Sequence, residues 1–311
     1  MKKYVLGADI GGTTVKLGWF TTEGKLCRKW EIPTRTGEEY DILGDVAESC
    51  RKTIQEAGES LSDFAGIGIG VPGPVREDGS VDVCVNLGWG EKQVKKEMEE
   101  ALGIPAAVGN DANVAALGEM WQGGGKGYQN LVMVTLGTGV GGGVIVGGKI
   151  VSGAHGYGGE LGHMLINIHE TASCNCGKQG CLEQYASATG IARLARKAVE
   201  DTQKDTVLAR VDVLTAKDVF DAAKYGDAVA LEVVDRFARY LARGLSFVSG
   251  VTDPEIFVIG GGVSKAGTIV TDTVKKYFDS FVFGRQKDTK FGLATLGNDA
   301  GIYGCAKLIV E

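Results

Sequence analysis

A chain of 311 residues with 44% apolar content holds more than one ordinary core, so two domains are expected. Its 39 Asp and Glu outnumber 33 Lys and Arg, for a formal net charge of −6, which argues against nucleic acid or an anionic membrane as partner and for a small-molecule ligand. Only five largely apolar residues separate Lys3 from Asp9, too few for a signal segment, and no run of 18 apolar residues occurs; a cytoplasmic protein with reduced cysteines is expected.

From Tyr4 the chain reads as a strand, YVLGADI, a glycine turn and a second strand, VKLGWF, ending at Thr22-Glu23-Gly24. Ile42, Leu43, Val46, Ala47, Cys50 and Ile54 fall at helical spacing within 40–57, as do Val94, Met98 and Leu102 within 91–102. Between them stand a strand at 65–71 and the rigid turn Val71-Pro72-Gly73-Pro74, so the first hundred residues alternate α and β. After Pro105 come a helix at about 111–121, three glycines at 123–125 and a second hairpin, LVMVTLGTGVGGGVIVGGKI, at 131–150. Set under residues 5–24 it matches in kind: apolar strand, Gly/Thr turn, apolar strand, glycine turn, lysine. That marks a degenerate internal duplication. Two such lobes packed about a pseudo-twofold axis would face both turns to one cleft. Helices follow at 217–224, 228–250 and 264–280, with the strand EIFVIG before Gly261-Gly262 and a last helix from about 299.

The first turn, Asp9-Ile10-Gly11-Gly12-Thr13-Thr14, ends a strand with a carboxylate, two glycines and two hydroxyls. It offers backbone N–H groups, side-chain donors and a magnesium-directed anion, which is phosphate chemistry. It is not a Walker loop, because no Gly-Lys-Ser/Thr follows and a strand comes next. An ordinary tight hairpin would use the same residues, but the second copy at Gly137-Thr138-Gly139 favours phosphate. The G-x-G-x-x-G spacings at 68–73 and 137–142 open no helix and are not dinucleotide fingerprints. Gly260-Gly261-Gly262-Val263-Ser264 does stand between a strand and a helix, with Ser264 as an N-cap, a place for the nucleoside end of ATP or a plain β–α turn.

Cys174-x-Cys176-x4-Cys181 puts three thiols within eight residues, and ten residues separate Cys174 from His163. A Cys3His tetrahedron around zinc is expected, structural because four protein ligands leave no open position. Cys27, Cys50, Cys84 and Cys305 read as core residues, and His155 and His169 as weaker ligands. Asn110-Asp111 opens the helix ANVAALGEMW, either as an N-cap or as an acceptor-site pair. Glu160, His163 and Glu183 add further polar groups beside the cluster, a set suited to the hydroxyls of a sugar.

DIGGTTVKLG, VPGPV, NDANVAALGE, LGTGVGGG, GGELGH, CNCGKQGCLE and VIGGGVS occur in the order seen in ROK proteins, a group of bacterial sugar kinases and related repressors. The resemblance spans essentially the whole chain and is strongest to the glucose-phosphorylating kinases. It implies a two-lobe α/β fold of the actin/hexokinase-like (ribonuclease H-like) type, with a small lobe of residues 1–108 completed by 298–311 and a large lobe of 109–297. It also implies ATP and Mg2+, a homodimer, and transfer of the γ-phosphate to the 6-hydroxyl of glucose or another hexose. By this resemblance Asp9 serves magnesium, and Gly12, Thr13, Thr14, Lys16, Thr138, Gly139, Gly261 and Gly262 serve the nucleotide. Asn110, Asp111, Glu160, His163 and Glu183, with Gly73 and Asn86, serve the sugar, and His163, Cys174, Cys176 and Cys181 hold zinc. His163 would spend one ring nitrogen on the metal and the other on a sugar hydroxyl. Asp111 would be the catalytic base, kept ionised and weakly basic by its helix N-terminus. The repressors carry a winged helix before the core; here the first strand starts by residue 4 and the chain is acidic, so a kinase is expected.

Overall fold

The computed structural model describes residues 2–37 and 39–310. In chain order the first part runs β1 (Tyr4–Ile10), β2 (Thr14–Thr21), β3 (Leu26–Pro33), α1 (Ile42–Glu56), β4 (Phe64–Val71), α2 (Val94–Leu102), β5 (Ala106–Asn110) and α3 (Asp111–Gln122). Then follow β6 (Leu131–Leu136), β7 (Val140–Val146), β8 (Lys149–Ile150), α4 (Glu183–Ala186), α5 (Ala188–Asp201), α6 (Ala216–Lys224) and α7 (Ala228–Thr252). The chain closes with β9 (Ile256–Gly260), α8 (Thr268–Phe281), β10 (Lys290–Leu293) and α9 (Ala300–Lys307). The strand orders are β3-β2-β1-β4-β5 and β10-β9-β6-β7-β8. Counted from its own first strand, each sheet has the order 3-2-1-4-5, so the repeated Gly/Thr hairpin belongs to a repeated topology.

The contacts divide the chain into one unit of Met1–Gly127, Gly143–Gly159 and Leu296–Glu311, and another of Tyr128–Gly142 and Glu160–Thr295. Where the sequence predicts a break after residue 108, the contacts carry the first unit on to Gly127, because α3 packs along α9.

In the first unit β1 and β4 alternate between two faces. Leu6, Ala8 and Ile10 with Ile67, Ile69 and Val71 join Ile42, Val46, Cys50 and Met98 of α1 and α2 in one core. The other face carries Gly7, Gly66, Gly68 and Gly70 because α9 lies against it backbone to backbone, with Val5 packed on Ile302 and Ala306. A Cβ on Gly68 would sit 1.6 Å from Cys305 O, and one on Gly7 2.2 Å from Ile302 O. The same helix meets α3 as closely: a Cβ on Gly304 would lie 1.6 Å from Val114 O. Asp9 shares the glycine face of β1, so the alternation that buries Leu6 and Ala8 also turns the carboxylate toward the start of α9, 2.3 Å from a Cβ built on Gly301.

In the second unit β6, β9 and β10 are parallel, and β9 is buried at every position, which is why IFVIG reads as an unbroken apolar run. The expected helix from 264 begins later. Residues 262–266 form a 3-10 turn, Gly267 at φ +86 breaks the path, and α8 starts at Thr268. Ser264 is therefore no N-cap; its hydroxyl donates to Gly261 O at 2.7 Å. Cys27, expected in the core, is exposed because β3 is the edge strand of its sheet. Cys50, Cys84 and Cys305 are buried as expected.

Candidate active site

The first unit gathers Asp9, the Gly11–Thr14 turn, Lys16, Gly73, Asn86, Asn110 and Asp111. The turn closes with Gly11 N donating to Thr14 O at 3.1 Å, and Thr34 Oγ1 donates to Gly11 O at 2.7 Å. Gly12 and Thr13 remain exposed at its tip. Asn86 reaches this turn through its backbone, its carbonyl oxygen 3.5 Å from a Cβ built on Gly12. Lys16, opposite Asp9 in the β1–β2 register, donates from Nζ to Asn298 O at 3.2 Å.

Asn110 ends β5 and caps α3. Its Oδ1 accepts from Ala112 N at 3.0 Å and Asn113 N at 3.2 Å, while Nδ2 donates to Gly73 O at 3.1 Å. One N–H of its amide is left for a ligand. Gly73, at φ +111, adopts backbone that only glycine enters readily, and its carbonyl holds the Asn110 amide. Asn110-Asp111 is thus an N-cap and a side-chain pair at once.

Burial pushes the Asp9 carboxyl up to about 6; Lys16 opposes this and the nearby Asp111 adds to it. Asp111 is raised as well, by crowding around its carboxyl, although the Ala112 N–H at 2.8 Å and Asn110 pull the other way. The direction is upward although Asp111 is exposed at the start of α3, where the first-turn amides alone would pull it down.

The second unit gathers Thr138, Gly139, Glu183, Gly261, Gly262 and the Cys/His cluster. Glu183 Oε2 accepts from Val140 N at 2.9 Å, and a Cβ on Gly139 would come within 2.4 Å of that oxygen. Glu183 Oε1 lies 3.7 Å from Cys174 Sγ, so one carboxylate touches both the turn and the cluster. Gly261, at φ +80, runs against the end of β6, with Leu136 O 2.5 Å from a Cβ built there. Beside it a cavity of about 360 Å³ is lined by Ala188, Lys217, Phe220, Gly262, Val263 and Lys265. An aromatic and aliphatic wall with three lysines, Lys217, Lys224 and Lys265, suits a nucleoside and its charged tail.

His163, Cys174, Cys176 and Cys181 bring their ligand atoms within 4.8 Å of one another, and His155 and His169 stay outside the group. A tetrahedron with metal–sulfur bonds of about 2.3 Å has an edge of about 3.8 Å; Cys176 and Cys181 are 3.7 Å apart. His163 Nδ1 is 4.0 Å from Cys174 Sγ, so Nδ1 faces the cluster and Nε2 is the nitrogen left for another partner. One nitrogen and three sulfurs at this spacing fit zinc. Glu160 is exposed, three residues before His163.

A cavity of about 1100 Å³ lies around Tyr185, Arg193 and Tyr240, away from the predicted site residues. Within it Arg193 pairs with Glu170 and Arg239 with Asp235. Against the raising effect of burial, hydrogen bonds from Tyr185 at 2.5 Å and Arg193 at 2.9 Å draw the Glu170 carboxyl down to about 2. A carboxylate held so firmly is a fixture of the wall.

Absent from the sequence expectations were Ser187 and Thr189, which open α5 against the Gly137–Gly139 turn. The helix itself was legible in Ile191, Leu194, Ala195 and Ala198, with Ser187 three residues before Gly190 as its cap.

A profile of the ROK family matches residues 5–311. A glucokinase of Halalkalibacterium halodurans is 44% identical over 99% of this chain and 96% of its own length. A ROK hexokinase from Thermus thermophilus superposes with a TM-score of 0.80 at 31% identity, covering 97% of this chain and 96% of that one. A ROK family glucokinase from Streptomyces griseus, solved with glucose and AMPPNP, gives a TM-score of 0.72 at 32% identity over 98% of both chains. The two sheets are accordingly those of the actin/hexokinase-like fold.

Proposed function

The chain belongs to the ROK family, and from that premise we propose that it is an ATP-dependent kinase that forms glucose 6-phosphate. The observation that carries the reading is Asp111. It is a carboxylate fixed at the start of α3 by Asn110 and raised in pKa by its surroundings, within an end-to-end likeness to a glucokinase.

Asp111 accepts the proton of the sugar 6-hydroxyl as that oxygen bonds to the γ-phosphorus and the bond to the β-phosphate oxygen breaks, releasing ADP. Its raised pKa makes it a better base than a solvated carboxylate. The proton can leave late in a loose transition state, so most of the acceleration comes from positioning. Asn110, Glu160, His163 Nε2 and Glu183 hold the sugar hydroxyls, with Gly73 and the Asn86 loop framing the site. Gly12, Thr13, Thr14, Lys16, Thr138 and Gly139 receive the phosphates, and Gly261 and Gly262 the nucleoside end. Mg2+ on Asp9 would neutralise charge on the phosphate oxygens. Zinc on His163 and the three cysteines would fix the knuckle and the aim of His163. The enzyme works in the cytoplasm as a homodimer; among the described residues no helix is long and apolar enough to cross a membrane.

An ADP-release assay across glucose, fructose, allose, N-acetylglucosamine and N-acetylmannosamine tests this. Glucose should give the highest kcat/KM. If no sugar turned over and a DNA fragment bound instead, a sugar-sensing repressor would replace the kinase.

A further inference from the structure

The turn Gly137-Thr138-Gly139 is held by the residues that open α5. Ala188 N donates to Gly137 O at 2.7 Å, and Thr189 Oγ1 donates to Thr138 O at 2.8 Å. Thr189 Oγ1 also lies 2.9 Å from Ser187 Oγ, which accepts from Gly190 N at 2.9 Å. A carbonyl only accepts, so the Thr189 proton is committed to Thr138 O and the Thr189 oxygen must receive the proton of Ser187. The chain therefore runs one way, from the Gly190 N–H through Ser187 and Thr189 to the Thr138 carbonyl. Hydroxyls aligned in this manner strengthen one another, and Ser187 is fully buried, so water does not compete there.

In a trans peptide the N–H points opposite the carbonyl, and the described peptides include no cis bond. Fixing the Gly137 and Thr138 carbonyls on α5 turns the Thr138 and Gly139 amides the other way. The other two amides of the turn are spent: Gly137 N on Gly139 O at 3.0 Å, and Val140 N on Glu183 at 2.9 Å. Among the described residues the Thr138 and Gly139 N–H groups donate to no protein acceptor. Two adjacent unspent amides form an anion-binding concavity.

We infer that Ser187 and Thr189 are positioning residues for the phosphate donor: they hold two peptides so that the Thr138 and Gly139 amides face a nucleotide phosphate. This rests on the proposed function, in which that turn receives ATP.

The test titrates AMPPNP and adenosine into the full chain without sugar, and measures KM for ATP and for glucose, in Thr189→Val and Thr189→Ser. Removing one hydrogen bond of this kind should weaken AMPPNP about three- to ten-fold and raise KM for ATP equally. Adenosine affinity, KM for glucose and kcat should stay within about two-fold, because an interaction shared by ground and transition states moves KM alone. Thr189→Ser should restore wild-type values. Should Thr189→Val fail to fold, Ser187→Ala, which breaks the chain one link earlier, is read by the same criteria. Unchanged AMPPNP affinity overturns the inference, as does an equal loss of adenosine and AMPPNP. Wild-type protein that binds no nucleotide would overturn the kinase reading itself.

Discussion

Replacing Gly304 with alanine tests how the catalytic helix is seated. The added Cβ would sit 1.6 Å from Val114 O, 2.4 Å from Val114 C and 2.9 Å from Gly118 N. Ordinary contact begins at about 3.4 Å, so α9 and α3 must part by about 1.8 Å, the difference between 3.4 and 1.6 Å. The obstacle is backbone, which no rotamer change relieves. Overpacking of this kind costs about 1–3 kcal/mol, a fall of about 2–5 °C in Tm for a chain of this size. Asp111 lies three residues before Val114 on the same rigid helix, so the displacement reaches it almost undiminished. A misplacement of about 1 Å costs on the order of a hundred-fold in rate. Thermal unfolding together with kcat and KM at saturating ATP measures both effects. Gly250→Ala in α7, where nothing lies within 4 Å, is the control and should be neutral or stabilising by up to about 1 kcal/mol. A Gly304→Ala protein that melts within about 1 °C of wild type and turns over within about two-fold would refute the close-packing argument.

Asp111→Ala should lose about two to four orders of magnitude in kcat while glucose still binds by calorimetry; near-normal turnover sinks its role as base. The Asp9 carboxyl, near 6 when folded and near 3.9 when unfolded, takes up its proton first in the native state. Magnesium-free protein should therefore gain stability as the pH falls from about 6 to about 4, by at most about 2–3 kcal/mol, and Asp9→Asn should abolish that slope in denaturant titrations. The same titration of Asp9 should give kcat/KM for ATP an acid limb near pH 6; a flat profile down to pH 5 contradicts it. Chelation should lower Tm and weaken glucose and AMPPNP together, because Glu183 joins the cluster to the turn; a loss confined to Tm would confine the metal to a structural part.

The hairpins were legible because each pairs an apolar run with a Gly/Thr turn, and the 3-10 turn before α8 was not, because its path depends on Gly267 at positive φ. β3 escaped notice since LCRKWEIP is an edge strand with mostly exposed or half-exposed side chains and lacks the period of a buried one. β10, four residues at the other sheet's edge, offers too short a pattern to read. The alternation of β4, FAGIGIGV, carried more information than expected: its glycines mark where a helix from the far end of the chain lies on the sheet. At the site, residue identity located Asp9 and Asp111, but the upward push on the Asp9 carboxyl came from burial, which spacing does not encode. Thr189 was hidden because its role is set by the direction of a hydrogen-bond chain rather than by residue type.

Because α9 covers the glycine face of β1 and β4, the order of synthesis bears on how the chain folds in the cell. Between the end of β4 at Val71 and the end of α9 at Lys307 lie 236 residues (307 − 71). At about 5–20 residues per second their synthesis takes on the order of tens of seconds. Throughout that interval the ribosome-bound chain holds a first unit without α9, while every residue of the second unit is synthesised before α9. Until α9 is released, the first unit exposes the glycine face that this helix covers, and that face is the part of the nascent chain open to wrong partners.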